Sequence, residues 1–424
     1  MITDRCPGVL RLHSAADGHL ARIRLPGGRL DGVGLRAVAT LAAAGNGVVE
    51  LTSRASLQIR GLDAGAASWA ADVLWEAGLL PSPEHDRVRN ILASPFGGRH
   101  PAAVLGADSI VVALDRALCG DHALAVLPGR FLFVVEDGSR TLGRQRADVS
   151  LVATGAAGRL RLDLAGRPTT LEAAAQDAPK LALNAARAFM QLRREDGSNG
   201  WRIDDLADGA ARIARALGGS PREEVAPIVP RLTAAGALEQ AGGRWAVTAL
   251  APLGRVERTA LPGLADLLAD EALQGPAASV PEGSTGPERA HLRVSPARTL
   301  TVLDVPSDRV GELTATLEGL GLVTAPNSGW EGLSACAGLH ACQNARGDVR
   351  AAAVRRASVR RGSPGHSRSE HWTACERGCG RPPAVAAAVT VEADAVRIER
   401  AGATTTSATI DDALRLLAAQ DSAR

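Results

Sequence analysis

Cys336-Ala337-Gly338-Leu339-His340-Ala341-Cys342 and, after an interval of 32 residues (343 to 374), Cys375-Glu376-Arg377-Gly378-Cys379 form the stretch around which the 424-residue chain is read. The spacings are C-x5-C and C-x3-C. Four thiolates can hold a cubane iron-sulfur cluster, whereas structural zinc favours cysteines about two to four residues apart. The pattern therefore points to iron-sulfur rather than zinc. Gly338, Gly378 and Gly380 lie among the cysteines, where the absence of a Cβ lets backbone approach a bulky inorganic or macrocyclic group. The competing reading is that these are buried small hydrophobes, as free cysteines often are.

Composition narrows the rest. A chain this long exceeds what one hydrophobic core usually supports, so several domains or a duplicated one are expected. The net charge is +2, and Lys180 is the only lysine among 48 basic residues, so each arginine must be judged by its position. No run is long and apolar enough to span a bilayer, and the start resembles no signal peptide, which predicts a cytoplasmic protein without membrane contact. Six cysteines are too few for a disulfide scaffold. Near-neutral charge argues against nucleic acid, and the arginines from Arg355 to Arg361 read as a solvated run.

Along the chain, residues 8–25 alternate around Asp17-Gly18 as strand, turn and strand. Leu35 to Ala44 reads as a helix closed by Gly45, Val48 to Ile59 as a strand pair, and Trp69 to Gly78 as an amphipathic helix. Leu292 to Val302 reads as a strand containing Arg298, and Leu303 to Leu320 as a helix, a weak repeat of the first plan. Each copy leads into a larger α/β segment, and only the second carries the cysteine pairs. The expected boundaries are 1–83 for a first small α+β lobe, 84–200 for a first α/β domain, 201–285 for a helical insert and linker, 286–326 for a second small lobe, and 327–424 for a second α/β domain. Within the insert, helices are expected near Leu206–Leu217 and Pro221–Leu238, with a flexible linker at 275–289. The loop 361–370 reads as mobile.

The phrases Cys6-Pro7-Gly8, Asp17-Gly18, Arg24-Leu25-Pro26-Gly27-Gly28, Glu50-Leu51-Thr52-Ser53-Arg54 and Leu57-Gln58-Ile59-Arg60-Gly61 resemble the sulfite and nitrite reductase superfamily. Within it, the chain looks most like the precorrin-3B synthase family of aerobic cobalamin biosynthesis. The resemblance covers nearly the whole chain. It implies an α+β fold of duplicated sulfite/nitrite-reductase-like architecture, with two ferredoxin-like half-domains and two larger α/β domains for cluster and tetrapyrrole. It also implies that Cys336, Cys342, Cys375 and Cys379 hold a [4Fe-4S] cluster, and that the haem site of the reductases has become a substrate site.

Early corrinoid precursors carry acetate and propionate groups, and arginine pairs with carboxylate through two parallel hydrogen bonds that lysine cannot match. By resemblance, Arg54, Gln58, Arg60, Asn90 and Arg381 contact the macrocycle. The four cationic positions around a reductase's small anion read Arg24, Arg89, Arg130 and Leu132 here, and the leucine argues against a sulfite or nitrite substrate. Arg24, Arg89 and Arg130 are thus the expected catalytic set. Cys6 and Cys119 read as structural, and His340 and His371 as neighbours of the cluster rather than ligands.

The implied reaction is an oxidoreductase's: oxygen-dependent hydroxylation of precorrin-3A beside the meso bridge joining rings A and D, with the ring A acetate closing a lactone. The family implies a mononuclear non-haem iron and NADH as reductant, delivered by an NADH-linked reductase or a ferredoxin. No facial triad stands out among the nine histidines to hold that iron. A monomer with an internal pseudo-two-fold is expected. Two readings compete: a sirohaem-dependent sulfite or nitrite reductase fed by ferredoxin or NADPH, and a non-catalytic iron-sulfur electron carrier.

Overall fold

The computed structural model describes residues 6–143, 145–155, 158–222, 235–270, 292–361, 369–382 and 385–422. The first lobe runs β1 (His13–Ala15), β2 (Gly18–Ile23), β3 (Arg29–Leu30), α1 (Gly32–Ala44), β4 (Val48–Leu51), β5 (Leu57–Leu62) and α2 (Ala66–Glu76). Asp31 starts α1 by accepting the Gly34 N–H at 2.7 Å. A larger lobe follows: β6 (Ile91–Ala93), α3 (Ala107–Cys119), β7 (Phe133–Glu136), β8 (Val149–Ala153), β9 (Arg159–Leu164), β10 (Arg167–Ala174), α4 (Ala178–Glu195) and α5 (Gly209–Ala216).

The second half repeats the order. Its small lobe runs β11 (Gly236–Glu239), β12 (Trp245–Leu250), β13 (Arg255–Glu257), α6 (Leu261–Ala269), β14 (Leu292–Val294), β15 (Thr299–Val305) and α7 (Val310–Gly319). Its larger lobe runs β16 (Leu333–Ala335), α8 (Val349–Arg360), β17 (Glu370–Thr373), β18 (Ala387–Val391), β19 (Val396–Arg400), β20 (Ala403–Ser407) and α9 (Ile410–Ser422). Among the described residues only α5 lacks a counterpart. The fold is therefore the duplicated α+β architecture, and the repeat is far stronger in space than in sequence.

The sheets are built by exchange. One has strand order β1-β2-β5-β4-β13 and its counterpart β11-β12-β15-β14-β3, so each half lends an edge strand to the other. Glycine makes both crossings possible. At Gly28 (φ +68) an added Cβ would lie 2.0 Å from the Val294 carbonyl oxygen, and at Gly254 (φ +72) it would lie 2.9 Å from that of Leu51. The two small lobes consequently share one core, running from Val9, Ile23 and Leu41 to Val247, Leu300 and Leu317. Each large lobe has its own core and a sheet in which two parallel pairings are followed by two antiparallel ones.

Several expectations are corrected. Residues 236–269, assigned to a helical insert and linker, hold three strands and a helix of the second small lobe, which therefore starts well before residue 286. In the helix expected over Pro221–Leu238, the last residues are the edge strand β11, and 223–234 lie outside the described residues, as do the linker 275–289 and most of the loop 361–370. The strand expected over Leu292–Val302 is two strands around a turn at which Arg298 has φ +62, and β15 continues to Val305 before α7 begins. Alternation fits a hairpin as well as a single strand when its turn lacks Asn-Gly or Asp-Gly. No helix among the described residues is long and apolar enough to cross a membrane.

Glu136 ends β7, and burial pushes its carboxyl up to about 7 even though the Arg140 N–H donates to it. A carboxyl raised in the folded state favours folding at low pH, and that contribution is lost as pH climbs from the ordinary glutamate range through about 7. Glu136→Gln should therefore raise the melting temperature more at about pH 8 than at about pH 5. Parallel melting curves at the two pH values check this, and an equal change at both would contradict it.

Candidate functional site

The cysteines sit at the carboxyl ends of neighbouring parallel strands, where loops in such sheets gather ligands. Cys336 follows β16 and Cys375 lies two residues beyond β17, with the Cys336 N–H donating to the Trp372 carbonyl at 2.9 Å. The Ala374 N–H donates to Cys336 Sγ at 3.3 Å, and Asn344 Nδ2 stands 4.0 Å from Cys342 Sγ. Burial pushes the Cys379 thiol up, and so do the charges of Cys375, Cys336 and Cys342, which places all four sulfurs around one locus. None is in a disulfide, and all are at least partly accessible. A set of mutually repelling thiolates with N–H donors aimed at sulfur suits a positively charged iron-sulfur core.

His371 lies beneath this locus. Its Nε2 is 3.1 Å from the Cys379 carbonyl oxygen and its Nδ1 is 2.7 Å from Ser334 Oγ. A carbonyl only accepts, so Nε2 carries the proton and Nδ1 accepts from the serine. Burial holds the imidazole's pKa at about 4, and the neutral ring props the Cys379 loop. Below it, Glu370 accepts from Arg356 Nε at 3.0 Å and from Trp372 Nε1 at 2.7 Å, which satisfies a carboxylate inside the second large lobe. Among the described residues no three His, Cys, Asp or Glu side chains converge on one ion. Cubane ligands each bind a different iron and stand farther apart than donors to a single ion. A donor set for a mononuclear iron is not among the described residues.

A second feature belongs to the first half: a cavity of about 470 Å³ lined by Arg54, Arg130, Arg146, Trp201, Arg202 and Asp205. Arg130 lies over the Trp201 ring, 4.5 Å from its centroid. Arg202 Nε is 2.9 Å from Asp148, and Arg202 also donates to the Arg146 carbonyl. Burial, followed by the charge of Arg202, pulls the Arg54 guanidinium down to about 10. Burial and then Arg22 pull Arg24 to about 9. Burial is the larger cause of both shifts and the neighbouring guanidinium adds to it, so an anion among these buried cations would be favoured. Cys6 lies near Arg22, Arg24 and Arg54. Burial raises the Cys119 thiol to about 11.

Of the candidate residues, Arg54 and Arg130 line the cavity. Arg24 is buried beside them, with Nη2 donating to the Pro7 and Arg87 carbonyls and Nε without a partner among the described residues. Others are spent elsewhere. Arg89 forms a two-pronged pair with Asp115 at 2.7 and 2.8 Å and donates to the Leu79 carbonyl, so it braces α3 instead of facing a ligand. Arg60 is engaged by Asp17 and by the Ala341 carbonyl, Gln58 bridges Arg22 and Glu50, and Arg381 pairs with Glu399. Asn90 donates to the Arg87 and Gly129 carbonyls, which leaves only its buried Oδ1 uncommitted among the described residues. Leu132 is packed in the shared core. Arg146, Trp201 and Arg202 escaped sequence reading. The signal available was a tryptophan in a polar loop of a chain with six.

Residues 13–74 match the nitrite/sulfite reductase ferredoxin-like half domain. A precorrin-3B synthase of Sinorhizobium sp. is 25% identical over 383 residues, 89% of this chain and 78% of that protein. Sulfite reductase (ferredoxin) 1 of Mycolicibacterium paratuberculosis is 36% identical over 95 residues, 22% of this chain and 14% of that one. The solved NirA protein of Mycobacterium tuberculosis superimposes with a TM-score of 0.73 at 18% identity, covering 94% of this chain and 79% of that one, a likeness of fold.

Proposed function

We propose that this chain belongs to the sulfite and nitrite reductase superfamily and is an oxidoreductase acting on a polycarboxylate tetrapyrrole, a precorrin-3B synthase. The observation that carries the reading is the arginine-lined cavity, beside similarity to a precorrin-3B synthase along most of both chains. Arg54, Arg130, Arg146 and Arg202 would bind and orient ring carboxylates, and Trp201 offers a flat apolar face to a planar macrocycle. Among the described residues Asp205 is the one acid on the wall and would disfavour carboxylates on its side, which helps to fix the ring's orientation.

Cys336, Cys342, Cys375 and Cys379 would hold the [4Fe-4S] cluster, which supplies single-electron transfer when bound. In the overall balance one oxygen atom of O2 ends as the ring hydroxyl and the other as water. NADH supplies two electrons, and the ring A acetate oxygen closes the lactone. The test is anaerobic purification, iron and sulfide analysis, then incubation with precorrin-3A, O2, NADH and a reductase. A product heavier by one oxygen atom from a protein without haem bands is expected. Sirohaem absorption with sulfite turnover would end this reading in favour of a reductase.

A further inference from the structure

The two halves meet through ion pairs at equivalent places with their charges exchanged. Glu50 on β4 accepts from Arg350, the second residue of α8, at 2.6 Å. On the equivalent strand β14, Arg293 reaches Asp108, the second residue of α3, also at 2.6 Å. The acid lies on the strand in one case and on the helix in the other. Of the two helices, the one bearing the cation follows the first cysteine pair. There Arg350 Nε donates to the Cys336 carbonyl at 3.2 Å. At the position after β6 that corresponds to Cys336 stands Ser94, and the nearby helix carries the acid.

The first half adds a second prop. Arg60, paired with Asp17, donates to the Ala341 carbonyl beside Cys342 at 2.8 Å. Contacts also run the other way from Glu50. Gln58 Nε2 donates to Glu50 at 2.9 Å, and Arg22 Nη2 donates to Gln58 Oε1 at 2.9 Å. Arg22 in turn presses on Arg24 and Arg54, and Arg54 lines the cavity. A continuous run of hydrogen bonds to charged groups thus joins the backbone of a cysteine ligand to the arginine cluster, across the boundary between halves.

We propose that Glu50 and Arg350 are positioning residues that set the electron affinity of a cluster held by the four cysteines, and that the run Arg350–Glu50–Gln58–Arg22 couples the cluster's charge to occupancy of the arginine cavity. The proposal rests on the cysteine-held cluster of the preceding reading. Its physics is linkage: an anion in the cavity lowers the electron affinity of the cluster, and reduction weakens anion binding by the same factor. Removing the cation beside Cys336 makes an added electron less welcome, while removing the anion of the pair makes it more so.

The experiment compares wild type with Glu50→Gln, Arg350→Gln, the double variant and Gln58→Leu, all loaded anaerobically with iron and sulfide. Midpoint potentials are read by EPR-monitored titration, with and without uroporphyrin, an eight-carboxylate probe. Arg350→Gln should shift the potential down and Glu50→Gln should shift it up, with the double variant near wild type. Uroporphyrin should lower the wild-type potential, and Gln58→Leu should lose most of that shift. Loaded single variants that shift together, or not at all, overturn the proposal. If a single variant fails to load, the neutral double variant must regain iron, and its failure to do so also overturns the proposal. Wild type that holds no iron and sulfide overturns the cluster reading itself.

Discussion

Cys375→Ser is expected to yield a folded protein that holds almost no iron or sulfide and turns over at least about 100-fold more slowly, since even residues that merely orient metal ligands cost about 10- to 100-fold when replaced. A serine hydroxyl does not ionise near neutral pH and cannot replace a thiolate. The fold should survive because the second large lobe has its own core of Trp372, Val389, Ile398 and Leu417, and because Glu370 keeps Arg356. Iron and sulfide analysis beside circular dichroism checks the outcome. Full cluster content in Cys375→Ser would remove this cysteine from the ligand set.

Arg54→Ala should leave iron and sulfide at wild-type levels yet weaken binding of a polycarboxylate tetrapyrrole by about 30-fold or more, the loss expected for one partner of a desolvated charge pair at about 2–5 kcal/mol. Arg54 sits in the turn between β4 and β5, remote in sequence from the cysteines, and it lines the cavity. Arg54→Lys should recover only part of the affinity, because an ammonium cannot make the two-pronged contact. Fluorescence titration with uroporphyrin at two salt concentrations reads both effects, and salt should weaken the wild type more steeply than Arg54→Ala. Arg89→Ala provides the contrast: it strands Asp115 and loosens α3, so its loss should show first in the melting temperature. Unchanged uroporphyrin affinity in Arg54→Ala would exclude this cavity as the tetrapyrrole site.

Much of this was legible in the sequence because it depends on local chemistry. Cysteine spacing marks two close pairs, Gly45 marks the end of α1, and alternation marks β4 and β5. The family-like phrases pick out Arg54 and the reductases' cationic positions pick out Arg130, both of which line the cavity. Arg60 and Gln58 are engaged by other protein groups, which the sequence does not show. Alternation along a strand tells which side chains share a face, but not whether that face meets a ligand, Asp17 or the loop of Cys342.

The sequence by itself determined two close cysteine pairs and a weak repeat of the strand-and-helix plan, since short-range spacing decides these, while the arginine positions came from the resemblance. Only the tertiary structure decided that β3 and β13 change places between halves, that Arg146, Trp201 and Arg202 complete the cavity, and that Glu50 pairs with Arg350 three hundred residues away. Such pairings are set by sheet register and by the packing of one half on the other, and neither leaves a periodic trace along the chain.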